Sequence, residues 1–249
     1  MKLNNKGFAI STIMYMILIM AVILIVLTLT LLSNRKLILD KTKEEVKENI
    51  YSTSTLPYFY QQVKYIESDG AQAIRGIYQV PQNYTSIKFV TKTNTNSTAE
   101  QGVIGITKTL ELGYSSKINR VILWDSTSSS LAYTSSTDIL NKDIIMEASL
   151  IGGNSKNFRL NQEEIQTALM DYTSINGKSV DLFVYTGSEN YYFTGKMYYA
   201  KIYVDDNLAR DLVPCYRKTD GVIGMYDFVS GNFYVNNEAG TFIKGYDVK

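Results

Sequence analysis

The chain has 249 residues with 25 basic and 24 acidic side chains, and its formal net charge of +1 gives no basic excess for a nucleic-acid partner. It contains no histidine, which excludes Ser-His and Cys-His nucleophile pairs and most catalytic zinc sites. Its single cysteine, Cys215, excludes an intramolecular disulfide and is expected to be a small buried apolar residue. We predict no cofactor and no metal site.

The first predicted element is a long helix in residues 8–50. No charged residue occurs from Phe8 to Asn34, and the apolar core Ile13–Leu32 has about the 20 residues that a helix needs to cross a hydrocarbon layer. From Ser33 to Ile50 apolar residues recur near helical spacing among charged ones, which favours an amphipathic stalk. The pattern predicts a transmembrane and stalk helix that anchors the chain in the cell membrane by a single pass.

The residues before this helix, Lys2-Leu3-Asn4-Asn5-Lys6-Gly7-Phe8-Ala9-Ile10, resemble the N-terminus of a type IV pilin or pseudopilin precursor. The resemblance implies a cytoplasmic leader of residues 1–7, cleavage by a prepilin peptidase between Gly7 and Phe8, methylation of Phe8, and assembly with other pilin-like subunits. Thr12 stands where the family usually has a glutamate that neutralises a neighbouring subunit's amine, so the chain resembles a minor or tip subunit. The alternative is a membrane-anchored surface module that is neither processed nor assembled into a filament.

Residues 51–57 form a predicted linker that ends at Pro57, and residues 58–249 have the pattern of one all-β domain. A helix is predicted only over Asn161–Met170, because Asn161 can cap it and the next two acidic residues suit its first turn. Short apolar runs between turn residues predict strands over Gln62–Glu67, Ser86–Lys92, Gly102–Thr107, Arg120–Trp124, Ile144–Ile151, Val180–Tyr185, Lys196–Val204, Leu208–Val213, Gly224–Val229 and Asn232–Val235. Many short strands favour a sandwich of antiparallel sheets.

The C-terminal third carries a second resemblance. The segments Gly195–Tyr203, Leu208–Cys215, Arg217–Asp227 and Gly240–Phe242, with the opening Tyr65–Gln72, are similar to the concanavalin A-like lectin/glucanase (laminin-G-like) domains. The resemblance implies a jelly roll of two stacked antiparallel sheets over residues 58–249. Because this fold carries glycan binders, glucanases and structural modules, function has to be argued from a site.

A glucanase of this fold needs carboxylates at alternate positions of one strand, and the sequence does not supply them. The nearest pattern runs from Glu67 through Asp69 to Gln72, where an amide replaces the third carboxylate and Asp69-Gly70 is typical of a turn. Residues 205–207 offer oxygens of the kind that bind calcium but fit a simple chain turn better. We therefore predict no catalytic residue and a protein that is not an enzyme.

Glycan binding needs exposed aromatic rings beside polar groups, because sugars stack their apolar faces on rings. Trp124, Tyr191 and Tyr192 are the candidates, the two tyrosines lying in a predicted loop. Trp124 also ends an apolar strand, which favours a core position over an exposed one. The sequence thus predicts a non-catalytic, pilin-like subunit that displays a lectin-like domain outside the cytoplasm or on a surface filament, for adhesion to a surface glycan or protein.

Overall fold

The computed structural model describes residues 15–23, 55–115, 120–125, 139–151, 155–161, 163–169 and 174–248, with the backbone alone described at residues 120, 125, 155–157 and 163–169. The chain divides into two compact units, Met1–Thr55 and Leu56–Lys249.

The first unit contains a described helix over residues 15–23. At 1.5 Å per residue, nine residues rise about 13 Å, against the roughly 30 Å of a hydrocarbon layer. Within the described ranges, no helix combines the length and apolar character that crossing a membrane requires. The predictions of a long transmembrane and stalk helix over residues 8–50, and of single-pass membrane localisation, are therefore corrected. The leader 1–7, the Gly7–Phe8 junction and Thr12 lie outside the described residues.

The second unit is built from β-strands. In chain order they are β1 (Tyr60–Gln62), β2 (Ile66–Asp69), β3 (Ile74–Gln79), β4 (Ser86–Asn94), β5 (Gln101–Ile106), β6 (Leu110–Ser115), β7 (Arg120–Asp125), β8 (Ile144–Ile151), β9 (Ser155–Leu160), β10 (Glu163–Leu169), β11 (Ser179–Leu182), β12 (Val184–Thr186), β13 (Asn190–Tyr192), β14 (Thr194–Val204), β15 (Asn207–Arg217), β16 (Ile223–Asp227), β17 (Phe233–Val235) and β18 (Ile243–Lys244).

The described strands form two sheets. The larger has eleven strands in the order β10-β9-β8-β4-β14-β15-β16-β17, with β1 beside β15, β2 beside β14 and β18 beside β2. The smaller has seven strands: β5 lies between β6 and β11, β7 extends the sheet beyond β6, β3 extends it beyond β11, and the β12–β13 hairpin joins at β5. The prediction of a β-sandwich for this part of the chain is confirmed.

The core lies between the two sheets. Buried and half-buried residues alternate along β4 and β8, so one face of the larger sheet supplies Phe89 and Met146 to the core. The smaller sheet supplies Leu110 and Leu112 from β6. Phe183 joins them, fully buried with its ring centroid 4.7 Å from that of Phe242. A domain with one cysteine can thus rely on apolar burial for its stability.

One predicted element has the wrong structure. The expected helix over Asn161–Met170 is a hairpin in the described residues, because β10 pairs antiparallel with β9 across Asn161. Asn161 adopts the left-handed conformation with φ of 48°, and its side-chain Oδ1 accepts a hydrogen bond of 2.9 Å from the backbone N–H of Ile145. The asparagine that looked like a helix cap therefore turns the chain, and sheet pairing overrides the local helical pattern.

The C-terminal motif folds around Asp227, which is fully buried at the end of β16. Its Oδ1 accepts hydrogen bonds from the backbone N–H groups of Asp211 (2.8 Å) and Val229 (3.1 Å). Its Oδ2 accepts two more from Ser230, through the backbone N–H at 3.1 Å and the hydroxyl at 2.6 Å, and lies 3.4 Å from Nε of Arg210. We call these five residues the Asp227 corner; it fixes the turn that follows β16.

Candidate functional site

The outer face of the smaller sheet carries a row of residues at matching positions on neighbouring strands. Register pairs Gly105 of β5 with Glu111 of β6, and Glu111 with Trp124 of β7. Leu110 and Leu112 point into the core, so the intervening Glu111 faces the opposite way. Because paired residues share a face, Glu111 and Trp124 lie side by side on the outer surface.

The β12–β13 hairpin lies across this outer face and packs on Gly102 and Gly105, which we call the glycine bed. The chain reverses at Phe183, whose φ is 65°, and the next two residues then run over β5. A Cβ atom on Gly105 would lie 2.3 Å from the backbone oxygen of Val184, and one on Gly102 would lie 2.3 Å from the backbone nitrogen of Tyr185. Only glycine lets two backbones approach this closely.

The hairpin and the sheet together enclose a cleft of about 630 Å³. Its wall contains three aromatic rings: Tyr185 packs edge-to-face on Trp124 with centroids 5.4 Å apart, and stacks on Tyr191 with centroids 6.2 Å apart. Tyr185 is buried, whereas Trp124 and Tyr191 are half-exposed. The described residues that line the cleft are Glu100, Lys108, Glu111, Trp124, Tyr185, Gly187, Ser188 and Tyr191.

Glu111 lies at the floor of this cleft. The residue is only 2% exposed, and its Oε1 has no hydrogen-bond partner among the described residues. Burial raises the pKa of the Glu111 carboxyl from 4.5 to about 8, with a further contribution from the negative charge of Glu100. The site thus holds a buried acid whose Oε1 has hydrogen-bonding capacity that the described residues do not use.

The structure separates the aromatic residues singled out in the sequence. Trp124 and Tyr191 line the cleft, and Trp124 lies on the outer face, so the interpretation of it as a core residue is not supported. Tyr192 follows Tyr191 on a strand and therefore points to the other side of the hairpin; it pairs with Val184 and is not part of the lining.

Sequence reasoning missed Glu111 and Tyr185. The signal for the first was present, because Leu110-Glu111-Leu112 alternates with period two and follows the strand Gly102–Thr107 after a short turn. No comparable signal marks Tyr185, since the crossing of β12 over the sheet depends on the left-handed turn at Phe183.

The other residues weighed for chemistry have structural roles. Gln72 stabilises the turn after β2, where its Oε1 accepts hydrogen bonds from the Ser68 hydroxyl at 2.8 Å and the Asp69 backbone N–H at 3.0 Å. Asp205 accepts hydrogen bonds from Thr85 and Ser86. No cluster of three or more potential metal ligands occurs within the ranges that the structure describes.

Cys215 is fully buried, as expected for a small apolar residue. Burial raises the pKa of its thiol from 9.0 to about 12, so the unreactive thiol form dominates near neutral pH.

Comparison with known proteins supports the fold. No family model and no curated protein sequence matches the chain. Among solved structures, one described as a "putative carbohydrate binding protein" from Bacteroides ovatus superposes with a TM-score of 0.54 and 10% sequence identity, over 76% of this chain. The present chain spans 62% of the length of that protein. At this identity the likeness establishes a shared β-sandwich fold alone.

Two further structures give lower scores. A heptameric SAP-like pentraxin from Limulus polyphemus has a TM-score of 0.47 and 9% identity, over 75% of this chain and 94% of the pentraxin. A mutant Trypanosoma rangeli sialidase with trans-sialidase activity has a TM-score of 0.42 and 8% identity, over 59% of this chain and 26% of that protein.

Proposed function

We propose that the sandwich is a non-catalytic, lectin-like module that binds glycan in the cleft on the outer face of the smaller sheet. The observation that carries the proposal is that one cleft of about 630 Å³ contains half-exposed Trp124 and Tyr191 together with Glu111, whose buried Oε1 has no hydrogen-bond partner in the described part of the chain. Rings supply the stacking surface for a sugar, and the carboxyl supplies an oriented polar contact. The carbohydrate-binding description of the Bacteroides protein is consistent with this role.

The chain offers a direct test, because Trp124 is its only tryptophan. Titration of the full chain with a panel of oligosaccharides, followed by intrinsic fluorescence, reports on the cleft itself. We expect a glycan that changes the fluorescence, and roughly five- to tenfold weaker binding in Tyr191→Ala from loss of one stacked ring. Tyr192→Ala is the matched control, with affinity expected within twofold of the parent.

Two results would contradict the proposal. A panel that leaves the fluorescence of Trp124 unchanged would remove the cleft as a glycan site and favour a surface protein as the ligand. Equal weakening in the two tyrosine variants would show that the hairpin acts through its folding and makes no direct contact.

A separate proposal rests on residues outside the described structure. The Gly7–Phe8 junction favours processing by a prepilin peptidase, which would make the chain a pilin-like minor subunit that carries the lectin-like module among other pilin-like subunits. N-terminal mass spectrometry of the protein from its native host is the test. A mature chain that starts at Phe8, and that Gly7→Val prevents, would support processing; an intact Met1 in the parent would exclude it.

A further inference from the structure

The floor of the cleft indicates which chemical group of a ligand reaches it, and this inference rests on the proposed glycan-binding function. Glu111 is buried under aromatic rings, and its Oε1 has no partner among the described residues. A buried polar atom without a hydrogen bond is costly, so a ligand that supplies the missing partner gains affinity there.

The charges around Glu111 distinguish a cationic partner from a neutral one. Among the described residues, three charged side chains line the cleft: Glu100 and Glu111 are acidic, and Lys108 is basic. Lys108 is exposed in the turn between β5 and β6, so water screens its charge, whereas Glu111 is shielded from water. A ligand hydroxyl would donate a hydrogen bond to Oε1 of Glu111, whereas a ligand cation would also reduce the repulsion between the Glu111 and Glu100 carboxylates.

β11, which lies on the other side of β5 from β6, does not supply a cation to Glu111. Across Gly105, the row continues to Asp181 of β11, which Arg75 neutralises through a contact of 3.1 Å from Nη1 to Oδ2. The backbone of Val184 passes over Gly105, between Asp181 and Glu111. Arg75 is therefore committed to a separate ion pair, which also includes Glu238 at 2.8 Å.

The aromatic wall favours the same kind of group. Trp124, Tyr185 and Tyr191 present three rings to the cleft, and the electron-rich face of a ring attracts a cation while its area covers the apolar face of a sugar. The geometry points to a sugar that carries a protonated amine, such as a hexosamine with a free amino group, with its ammonium against Glu111 and Glu100 and its ring against the aromatic wall.

This binding mode requires Glu111 to be ionised. Because burial and Glu100 hold the pKa of Glu111 near 8 in the free protein, capture of an ammonium below that pH displaces a proton. We therefore expect about one proton to be released per ligand bound at pH 6.5.

The decisive experiment compares two trisaccharides that differ only in whether their amino groups are acetylated. The full chain is titrated by Trp124 fluorescence with the trimer of glucosamine and with the trimer of N-acetylglucosamine, at pH 7. We expect the amine-bearing trimer to bind about tenfold tighter, as a charge-assisted hydrogen bond provides. Glu111→Gln keeps the shape of the side chain but not its charge, and we expect it to bind both trimers equally. Calorimetry in two buffers of different ionisation enthalpy measures the released proton.

The alternative outcomes separate the two proposals. If neutral glycans bind and the acetylated trimer binds as tightly as the free amine, the glycan-binding function stands and the preference for an amino sugar is wrong. A preference that persists in Glu111→Gln also overturns the inference. If free lysine binds as tightly as the glucosamine trimer, the site recognises an ammonium without the sugar, and the inference is again wrong. If no glycan of any kind binds, the proposed function itself fails.

Discussion

Two buried carboxylates in the same sandwich have opposite surroundings. Asp227 is fully buried, and its two oxygens accept four hydrogen bonds and approach the guanidinium of Arg210. Glu111 is buried almost as deeply, yet its Oε1 has no partner among the described residues. One acid is saturated by the protein's own donors, and the other leaves hydrogen-bonding capacity unused.

The contrast shows how to distinguish a structural acid from a ligand-binding acid when both are buried. A saturated carboxylate stabilises the chain around it, and its removal leaves several donors unsatisfied. A buried carboxylate with an unused oxygen lowers the stability of the fold, and it is retained where a ligand binds to it. Function of this kind commonly costs stability. Substitutions at the two sites should therefore shift stability in opposite directions.

The largest effect is expected at the Asp227 corner. Asp227→Ala leaves three backbone N–H groups and a hydroxyl without their acceptor and Arg210 without its counter-charge, and we expect it to lower the free energy of unfolding by about 4 kcal/mol. Urea denaturation monitored by circular dichroism measures the change. Asp220→Ala, which removes an exposed ion pair with Arg217, is the control and should leave the unfolding midpoint unchanged. Equal effects of the two variants would mean that the corner does not stabilise the fold.

The glycine bed under the hairpin is expected to give the next largest effect. Gly105→Ala would place a Cβ 2.3 Å from the Val184 backbone oxygen, so β12 has to move away from β5. We expect a loss of about 3 kcal/mol in stability and a shift in the fluorescence of Trp124 as Tyr185 leaves it. Gly221→Ala, where the added Cβ meets no atom within 4 Å but φ is 72°, isolates the cost of backbone strain, at about 1 kcal/mol. An unchanged emission spectrum in Gly105→Ala would show that β12 does not depend on this contact.

A smaller effect of opposite sign is expected at Glu111. The pKa is near 4.5 when the chain is unfolded and about 8 when it is folded, so the unfolded chain loses a proton that the folded protein retains between these values. The stability of the parent protein therefore falls as pH rises from 4.5 to 8. Glu111→Gln has no carboxyl at this position and does not lose stability in this way. A shift of one pKa unit corresponds to about 1.4 kcal/mol, and relaxation of the folded protein reduces the total, so we expect the variant to be more stable than the parent by about 2 kcal/mol at pH 8.

Unfolding titrations at pH 4.5 and pH 8 check this expectation. The two proteins should have similar stability at pH 4.5, where the parent carboxyl is protonated in the folded state and still half protonated in the unfolded state. A variant less stable than its parent at pH 8 would place Glu111 in the same structural class as Asp227.

The all-β domain could be predicted from sequence because its strands alternate with period two and end at turn residues. Ile144–Ile151 coincides with β8, and Lys196–Val204 falls within β14. The Asn161–Met170 segment was misassigned because capping residues and turn residues are the same types, and only pairing with β9 decides between the structures. The helical pattern of residues 8–50 likewise predicted an element longer than the described helix over 15–23.

The candidate site was less accessible from sequence. Aromatic residues in turn-rich segments were a usable signal for Trp124 and Tyr191, and the structure brings both to one cleft. Glu111 becomes significant only when β12 covers it, which depends on the conformation of Phe183 and on the bare backbone of Gly105. These are contacts between segments far apart in sequence, and no local pattern encodes them.

The β12–β13 hairpin, which packs on Gly102 and Gly105, also forms a rim of the cleft whose exposed residues can be substituted. Gly187 is confined, because a Cβ there would lie 2.9 Å from the ring of Tyr185, but the following Ser188, Glu189 and Asn190 are exposed. A small combinatorial library at these three positions could retune which ligands are accepted without disturbing the sheets beneath. The sandwich is therefore a suitable scaffold for engineered recognition, because residues 188–190 can be varied while the two sheets are left unchanged.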